Sequence, residues 1–264
     1  MCIRDSNGRV GAKVGPAAIR ERLGKLSYHA QDKTIIDFGD IVCDDGALEQ
    51  CQKALSQSVS WLLSGGLFPI VLGGGHDIAY GHYVGILDYL QNDGQKKIGI
   101  INFDAHFDLR PVVGSCNSGT PFYQILSGHG SHTSYMPIGI QRQANNQELF
   151  EIAERHDVQY VMIEDCVLSQ LETVTERISN FIAIHDFIYL SIDMDGFSSA
   201  YAPGVSAPSP LGLEPTFFLR LLDTIIRSKK LISCDFAELN PSLDQDQSTA
   251  RLAAIIVDSI VRGC

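Results

Sequence analysis

The sequence has little positive charge. Its 264 residues include 20 Lys and Arg against 31 Asp and Glu, which gives a formal net charge of −11 with histidine neutral. An acidic balance of this kind disfavours non-specific binding to nucleic acid or to an anionic membrane surface. We therefore expect neither nucleic acid nor a membrane as a partner.

Paired cysteines and long apolar runs are lacking as well. The seven Cys are scattered, odd in number and without a C-x-x-C motif, which is typical of reduced thiols in an intracellular protein. The longest uncharged stretch, residues 54–75, contains Ser, Gln, Pro and five Gly and is a poor membrane span. The start of the sequence has no apolar core of a signal peptide, so we expect a cytoplasmic protein.

Short apolar runs alternate with longer helix-compatible stretches along most of the chain, and the 45% of hydrophobic residues excludes intrinsic disorder. The apolar runs predict strands at residues 34–38, 69–72, 98–103, 135–140, 159–163, 187–192 and 231–236. The other stretches predict helices at residues 16–25, 47–63, 78–90, 147–155, 168–185, 216–228 and 247–261. This alternation predicts an α/β fold with a parallel sheet and helices on both sides.

The first residues do not fit the alternation. Residues 7–20 have the pattern of a glycine-rich loop that leads into a helix, and a strand normally precedes such a loop. Residues 1–6 show no apolar periodicity. We expect that an N-terminal strand is missing, that residues 1–6 are a non-native head, and that residues 7–264 form a single domain with an exposed sheet edge.

Ionisable side chains follow the predicted strand 98–103. Asp104, His106 and Asp108 are spaced so that, on an extended backbone, all three point to one side. A turn with a capping Asp is the simpler explanation. Buried charges cost several kcal/mol unless they are paired or bound to metal, however, so three such groups favour a metal site.

Two more predicted strands end in the same way. Asp193 and Asp195 follow the apolar run at 187–190, and two carboxylates this close repel each other unless a cation lies between them. His76 follows three glycines at the end of strand 69–72. Taken singly, these features could be an exposed turn and a structural histidine. A dinucleotide-binding loop is rejected because residue 78 is Ile where the third Gly would stand.

Together the strand ends supply two imidazoles and four carboxylates. The set contains no thiolate, which disfavours structural zinc and favours ions such as Mn²⁺. Four carboxylates are too many for one catalytic ion but balance two divalent ions. Two ions about 3.5–4 Å apart generate hydroxide from water at neutral pH. The predicted metal ligands are His76, Asp104, His106, Asp108, Asp193 and Asp195.

Glu238 follows a fourth predicted strand, residues 231–236. A carboxylate that faces a metal site can receive a cationic substrate group such as an amidinium. It could equally be a helix cap or a surface charge.

The motifs, in their order along the chain, resemble the ureohydrolase family of arginases, agmatinases and formimidoylglutamases. The matching blocks, which span residues 8–241, are GRVGAKVGPAAIR, VLGGGHD, NFDAHFDLR, SIDMDGFSSAYAPGVSAPSPLGL and DFAELNP. The resemblance implies a single three-layer α/β/α domain that forms homotrimers or homohexamers. It also implies that the six residues above bind two Mn²⁺ ions per subunit and that Glu238 anchors the substrate's guanidinium or amidino group.

Finer features resemble the formimidoylglutamase branch of this family. They are Arg110, Asn117 with Ser118 in the block at 117–122, and residues 139–145. This resemblance implies hydrolysis of N-formimidoyl-L-glutamate to L-glutamate and formamide. Asp108 would then carry a proton to the leaving amine and Glu238 would orient the amidinium. Arg110 would bind a substrate carboxylate, with Asn117 and Ser118 as further substrate contacts.

Other functions remain possible from the sequence. The chain could hydrolyse agmatine or another guanidino compound, or could be a deacetylase-like metallohydrolase, although six ligands favour two metals. It could also be a non-catalytic scaffold stabilised by metal. The presence of all six ligands together with Glu238 favours an enzyme.

Overall fold

The computed structural model describes residues 9–30, 32–43, 47–90 and 96–264. Within these residues six strands form one parallel sheet in the order β1-β6-β5-β2-β3-β4. The strands are β1 Ile70–Leu72, β2 Ile98–Phe103, β3 Thr133–Ile140, β4 Val161–Met162, β5 Phe187–Asp193 and β6 Leu231–Ala237. The predicted parallel sheet is confirmed.

Helices cover both faces of the sheet. Those in the described part of the chain are α1 Gly15–Leu23, α2 Leu48–Ser64, α3 Ile78–Leu90, α4 Pro121–His129, α5 Gln147–Arg155, α6 Leu171–Ala183, α7 Pro215–Arg227 and α8 Ser248–Gly263. Buried residues of α2, α3, α4 and α5 form one apolar cluster with the sheet, and those of α1, α6, α7 and α8 form the other. The result is the three-layer α/β/α arrangement.

Sequence chemistry explains these elements. Strand β2 is apolar except for Asn102 and is buried at all six residues, as expected for a central strand covered on both faces. Helices α1, α4 and α7 each have a proline in the first turn, where no intrahelical hydrogen bond is lost. Helix α5 begins after Asn146, whose side chain accepts a hydrogen bond from the Leu149 N–H at 3.1 Å.

The strand predicted at residues 34–38 is wrong. The segment has no regular structure, and the side chains of Ile35, Ile36 and Phe38 are more than half exposed. Asp37 within the segment and Asp40 just after it pair with Arg20 of α1. β-branched composition alone does not make a strand, because the ladder hydrogen bonds need a partner. No described strand pairs with this segment, which lines a groove of about 960 Å³ together with β1.

Other elements also differ from the prediction. The strand expected at 159–163 is only the two residues of β4, and the helix expected at 168–185 begins at Leu171 after a short 3₁₀ turn. Helix α4 was not predicted, because Gly and Ser on either side of it have the composition of a loop. The N-terminal head predicted at residues 1–6 lies outside the described residues. No helix in the described ranges is long and apolar enough to cross a bilayer.

Candidate metal centre

Four neighbouring strands end at one edge of the sheet, and a predicted site residue follows each of them. Asp104 comes directly after β2, Asp193 is the last residue of β5, and Glu238 comes directly after β6. His76 lies shortly beyond β1, after the turn of three glycines. Because β1, β6, β5 and β2 are adjacent in the sheet, their carboxyl ends bring these side chains together.

A first group of ligand atoms surrounds the buried imidazole of His76. Its Nδ1 lies 3.2 Å from Oδ2 of Asp104 and 3.0 Å from Oδ2 of both Asp108 and Asp193. One such atom from each of the four residues lies within 4.8 Å of the others. Nitrogen and oxygen atoms that converge on one point in this way could hold a cation.

A second group lies beside the first. Nδ1 of His106 is 3.4 Å from Oδ1 of Asp104 and 3.4 Å from Oδ1 of Asp195. Asp104 therefore contributes one oxygen to each group. Two neighbouring cation sites that share a carboxylate are the arrangement that a two-metal centre requires. The structure thus brings all six predicted ligands into one cluster, while their binding of metal stays a prediction.

The expected reason for this convergence is wrong in one respect. Asp104, His106 and Asp108 do not share a side of an extended backbone, since the chain bends directly after β2. His106 faces the second group, and Asp108 reaches the first group with a left-handed φ of 48°. Such a φ is uncommon for a residue with a Cβ and is found at functional sites that the surrounding structure holds in place.

Hydrogen bonds from backbone N–H groups orient the carboxylates of Asp104 and Asp193. Oδ1 of Asp104 accepts from the His106 N–H at 2.7 Å, and Oδ1 of Asp193 accepts from the Asp195 N–H at 2.8 Å. Their Oδ2 atoms are left to face His76. The turn after β5 also passes very close to Asp104, because a Cβ on Gly196 would lie 2.8 Å from the Asp104 Cα. A side chain there would push the two groups apart.

Burial and mutual repulsion shift the pKa values of the cluster. Burial raises the pKa of Asp193 well above its usual range, and the charges of Asp195 and Asp104 raise it further. Burial also raises the pKa of Asp195 to about 6, against the attraction of His106. Burial alone would lower the pKa of His76, but its contacts with Asp104 and the other carboxylates raise it well above its usual value. Without a cation, the cluster therefore retains protons near neutral pH.

The residues present fit a pair of divalent cations. Nδ1 of His76, Oδ1 of Asp195 and Oε2 of Glu238 are buried and make no well-aligned hydrogen bond to a described residue, although the first two have oppositely charged neighbours in the cluster. A buried polar atom without a partner costs about 1–3 kcal/mol. Coordination of a cation would satisfy the imidazole nitrogen and the Asp195 oxygen, and their hard donor set without sulfur suits Mn²⁺ or a similar ion.

A cavity of about 370 Å³ leads from the cluster to the surface. It is lined by residues of both ligand groups and by Arg110, Ser118, Ala144, Asn145, Leu149, Ser206, Ala207 and Glu238. Of the predicted substrate contacts, Arg110 and Ser118 line the cavity and Asn117 does not. Asn117 instead accepts from the Gly119 N–H at 3.0 Å and so stabilises the turn before α4.

Ser206 and Ala207 were not predicted as site residues. They belong to the irregular loop inside the fourth matching sequence block, which was the one available signal for them. The Arg9 guanidinium donates to the carbonyl oxygens of Val205 and Ser206 and fixes this loop to the N-terminal segment.

Glu238 is held in a strained and buried position. Its φ is 63°, its N–H donates to the Gly74 carbonyl at 2.8 Å, and its Oε1 accepts from the His76 N–H at 3.0 Å. Burial raises the pKa of Glu238 to about 8, and the charge of Asp193 adds to this effect. A buried carboxylate with one oxygen fixed and the other unpaired is suited to receive a cationic group from the cavity.

The raised pKa values predict that metal affinity depends on pH. Ligands must lose their protons before they bind a cation, so affinity should increase as the pH rises through about 6, the pKa of Asp195. Mn²⁺ titration calorimetry in two buffers of different ionisation enthalpy should detect proton release on binding. Equal affinity at about pH 5.5 and pH 7.5, without proton release, would contradict this prediction.

Comparison with known proteins places these features in context. A family model described as the arginase family matches residues 2–262. The chain is 45% identical over 253 residues to a protein named formimidoylglutamase from Geobacillus thermodenitrificans (strain NG80-2), covering 96% of this chain and 78% of that protein.

Solved structures show the same similarity. The crystal structure of formimidoylglutamase from Bacillus subtilis superposes with a TM-score of 0.87 at 27% identity, covering 99% of this chain and 83% of that one. Trypanosoma cruzi formiminoglutamase, solved with Mn²⁺, superposes with a TM-score of 0.84 at 26% identity, covering 97% and 87% of the two chains.

Proposed function

This chain belongs to the arginase family, and on that premise we propose that it hydrolyses the amidino C–N bond of N-formimidoyl-L-glutamate. The products would be L-glutamate and formamide, a step in the breakdown of histidine. One observation carries the proposal: six ligand side chains and Glu238 converge beside a cavity in a chain 45% identical to a protein named formimidoylglutamase.

We propose two Mn²⁺ ions per subunit as the cofactor. The first would be held by His76, Asp104, Asp108 and Asp193, and the second by Asp104, His106 and Asp195. The donor set and the Mn²⁺ in the Trypanosoma cruzi neighbour support this identity. Two such ions supply hydroxide from water at neutral pH.

The chain's own residues bind and orient the substrate. The Glu238 carboxylate lines the cavity and would accept hydrogen bonds from the amidinium, which holds the amidino carbon beside the cluster. Water adds to that carbon, the bond to the glutamate nitrogen breaks, and this nitrogen takes up a proton. Asp108 also lines the cavity, and burial raises the pKa of its carboxyl, so we assign it to carry that proton.

Arg110 is proposed to bind a carboxylate of the glutamate portion. Its guanidinium lies against Gly119 at the cavity wall, since a Cβ on Gly119 would lie 1.9 Å from an Arg110 Nη atom. Its planar guanidinium suits bidentate carboxylate recognition. Ser118, which lines the same wall, is a further proposed contact. Asn117 acts through the turn it stabilises.

Replacing Arg110 with Ala should raise KM about 10- to 100-fold and leave kcat nearly unchanged, because a hydrogen bond to a charged group contributes about 1.5–3 kcal/mol. Gly119→Ala should also raise KM by displacing the guanidinium. Arg142→Ala is the control, since Arg142 packs over Phe150 and does not line the cavity. Unchanged KM for formimidoylglutamate in Arg110→Ala would exclude this role.

The proposed function is tested by formamide release from N-formimidoyl-L-glutamate, measured with Mn²⁺ and after treatment with EDTA. We expect turnover that depends on Mn²⁺ and no comparable activity on agmatine, arginine or guanidinobutyrate. Preferred turnover of a guanidino compound would favour the agmatinase-like alternative. If Mn²⁺ raises thermal stability but no amidino substrate is turned over, the chain is a metal-stabilised scaffold.

We also propose that the protein is a cytoplasmic homo-oligomer, a trimer or hexamer. Free cysteines among the described residues support a reducing compartment, because no disulfide joins them. Sedimentation of the Mn²⁺-loaded protein would give the subunit number, and a monomer would contradict the proposed assembly.

A further inference from the structure

A continuous chain of buried polar side chains runs from His76 into the sheet, away from the cavity. Nε2 of His76 lies 2.8 Å from Ser191 Oγ, and Ser191 donates to Oδ1 of Asp235 at 2.6 Å. Nδ1 of His82 lies 2.7 Å from Oδ2 of Asp235, and Nε2 of His82 lies 2.6 Å from Ser233 Oγ. All five residues have no solvent exposure.

The sheet register places these residues side by side. Ser191 of β5 is paired directly with Asp235 of β6, and Ser191 lies on the same face of its strand as Asp193, two residues on. His82 reaches the same face from α3, and Tyr189, also on this face, donates its hydroxyl to Asp235. The polar chain therefore lies directly beneath the candidate ligands.

The direction of each hydrogen bond follows from the chemistry of Asp235. Burial alone would raise its pKa, but the hydrogen bonds from His82 and Ser191 lower it, so the side chain is a carboxylate that only accepts. The hydroxyl of Ser191 donates its one hydrogen bond to this carboxylate. Its oxygen must then accept from His76, so Nε2 of His76 carries a proton and Nδ1 is the nitrogen that faces the carboxylates of the cluster.

We propose that His82 is a positioning residue for the metal centre, acting through Asp235 and Ser191 on the ring of His76. This inference deepens the proposed function and rests on the binding of Mn²⁺ by the cluster. The histidine holds Asp235 in place, Asp235 orients Ser191, and Ser191 fixes which nitrogen of His76 is available to a cation. Metal-binding histidines commonly require such a partner on their other nitrogen.

Without His82, the Asp235 carboxylate would lose one of its three hydrogen-bond donors. Ser191 could then rotate, and the His76 ring would no longer be fixed on that side. The ring would keep its edge-to-face contact with Phe122, whose centroid is 5.2 Å away, and the contacts of Nδ1 with the carboxylates.

The test is the Mn²⁺ affinity of the full-length His82→Gln protein, measured by titration and independently of turnover. We expect a loss of about 10- to 100-fold, the range found when such partners are removed. His185→Gln is the matched control, because His185 is also buried but is bonded to the Phe181 carbonyl at the end of α6. It should keep the parent Mn²⁺ affinity even if it lowers the melting temperature.

A second variant shows whether the effect passes along the chain. Ser191→Ala should lower Mn²⁺ affinity to a similar degree, and adding His82→Gln to it should cost little more, because both changes release His76. Fully additive losses, or unchanged affinity in His82→Gln, would overturn the proposal. Should His82→Gln fail to fold, Tyr189→Phe removes one hydrogen bond from Asp235 at nearly constant volume and should give a smaller loss in the same direction.

A failure of this proposal can be distinguished from a failure of the proposed function. If the parent protein binds no Mn²⁺, the proposal that the cluster is a metal centre is wrong. If the parent binds Mn²⁺ and hydrolyses the substrate while His82→Gln binds Mn²⁺ equally well, only the positioning role is wrong.

Discussion

Replacing Asp193 with Asn is expected to leave the metal-free protein at least as stable as the parent and to remove its stabilisation by Mn²⁺. Asp193 is buried among like charges, and its pKa is raised because burial and the charges of Asp195 and Asp104 disfavour the carboxylate. Asn relieves this repulsion and keeps the oxygen that accepts from the Asp195 N–H. It removes the negative charge that a cation needs.

The expected effect on metal binding is large. Removing one partner from a buried charged pair costs about 3–5 kcal/mol, which corresponds to about 10²–10⁴-fold in affinity. A ligand at 100 times its Kd stabilises a fold by about 2.7 kcal/mol, roughly 5–10 °C in a chain of this size. The parent should show this shift with Mn²⁺ and the Asp193→Asn variant should not.

Thermal unfolding with EDTA and with Mn²⁺ measures both effects in one experiment. Asp223→Asn is the control, because Asp223 is exposed and pairs with Arg227 on α7, away from the cluster. It should keep the full Mn²⁺ shift. An equal shift in Asp193→Asn would show that this carboxylate does not bind the metal.

Replacing Glu238 with Gln is expected to lower kcat/KM about 30- to 5,000-fold, since loss of one charge from a buried hydrogen-bonded pair costs about 2–5 kcal/mol. The Gln oxygen can still accept from the His76 N–H, so the metal centre should keep its shape. The substrate amidinium would lose the carboxylate that faces it. Mn²⁺ affinity should therefore stay close to that of the parent.

Steady-state kinetics and Mn²⁺ titration of the same preparation separate an effect of Glu238 on the substrate from an effect on the metal centre. Glu214→Gln, a change of an exposed residue before α7, should alter neither. Glu238→Ala should be worse than Glu238→Gln, because it also leaves the buried His76 N–H without its partner. Near-normal kcat/KM in Glu238→Gln would show that the substrate amidinium does not bind this carboxylate.

The apolar runs predicted the central strands well because burial on both faces leaves a strong signal in the sequence. Strands β2, β5 and β6 lie where expected, and a candidate ligand or substrate contact follows each predicted run within two residues. Residues 34–38 are also rich in β-branched residues but form no strand, since composition cannot indicate whether a neighbouring strand is available.

The identity of the six candidate ligands could also be predicted, but their grouping could not. Period-two spacing placed Asp104, His106 and Asp108 on one face, whereas the bend after β2 sends His106 to the second group. The left-handed φ of Asp108 depends on the surrounding structure and has no local sequence signal. Asn117, predicted as a substrate contact, does not line the cavity and accepts a hydrogen bond within the turn before α4, which local sequence also does not indicate.

The sequence by itself determined the kinds of side chain at the centre and the strands that end beside them, because both depend on local pattern. Only the tertiary structure decided which carboxylate is shared between the two groups and that Glu238 lies buried behind His76. The tertiary structure alone also showed that His82 and Asp235 meet beneath the centre. The contacts of Glu238 with His76 and of His82 with Asp235 join residues more than 100 positions apart, and their geometry follows from the order and register of the strands, which no single segment specifies.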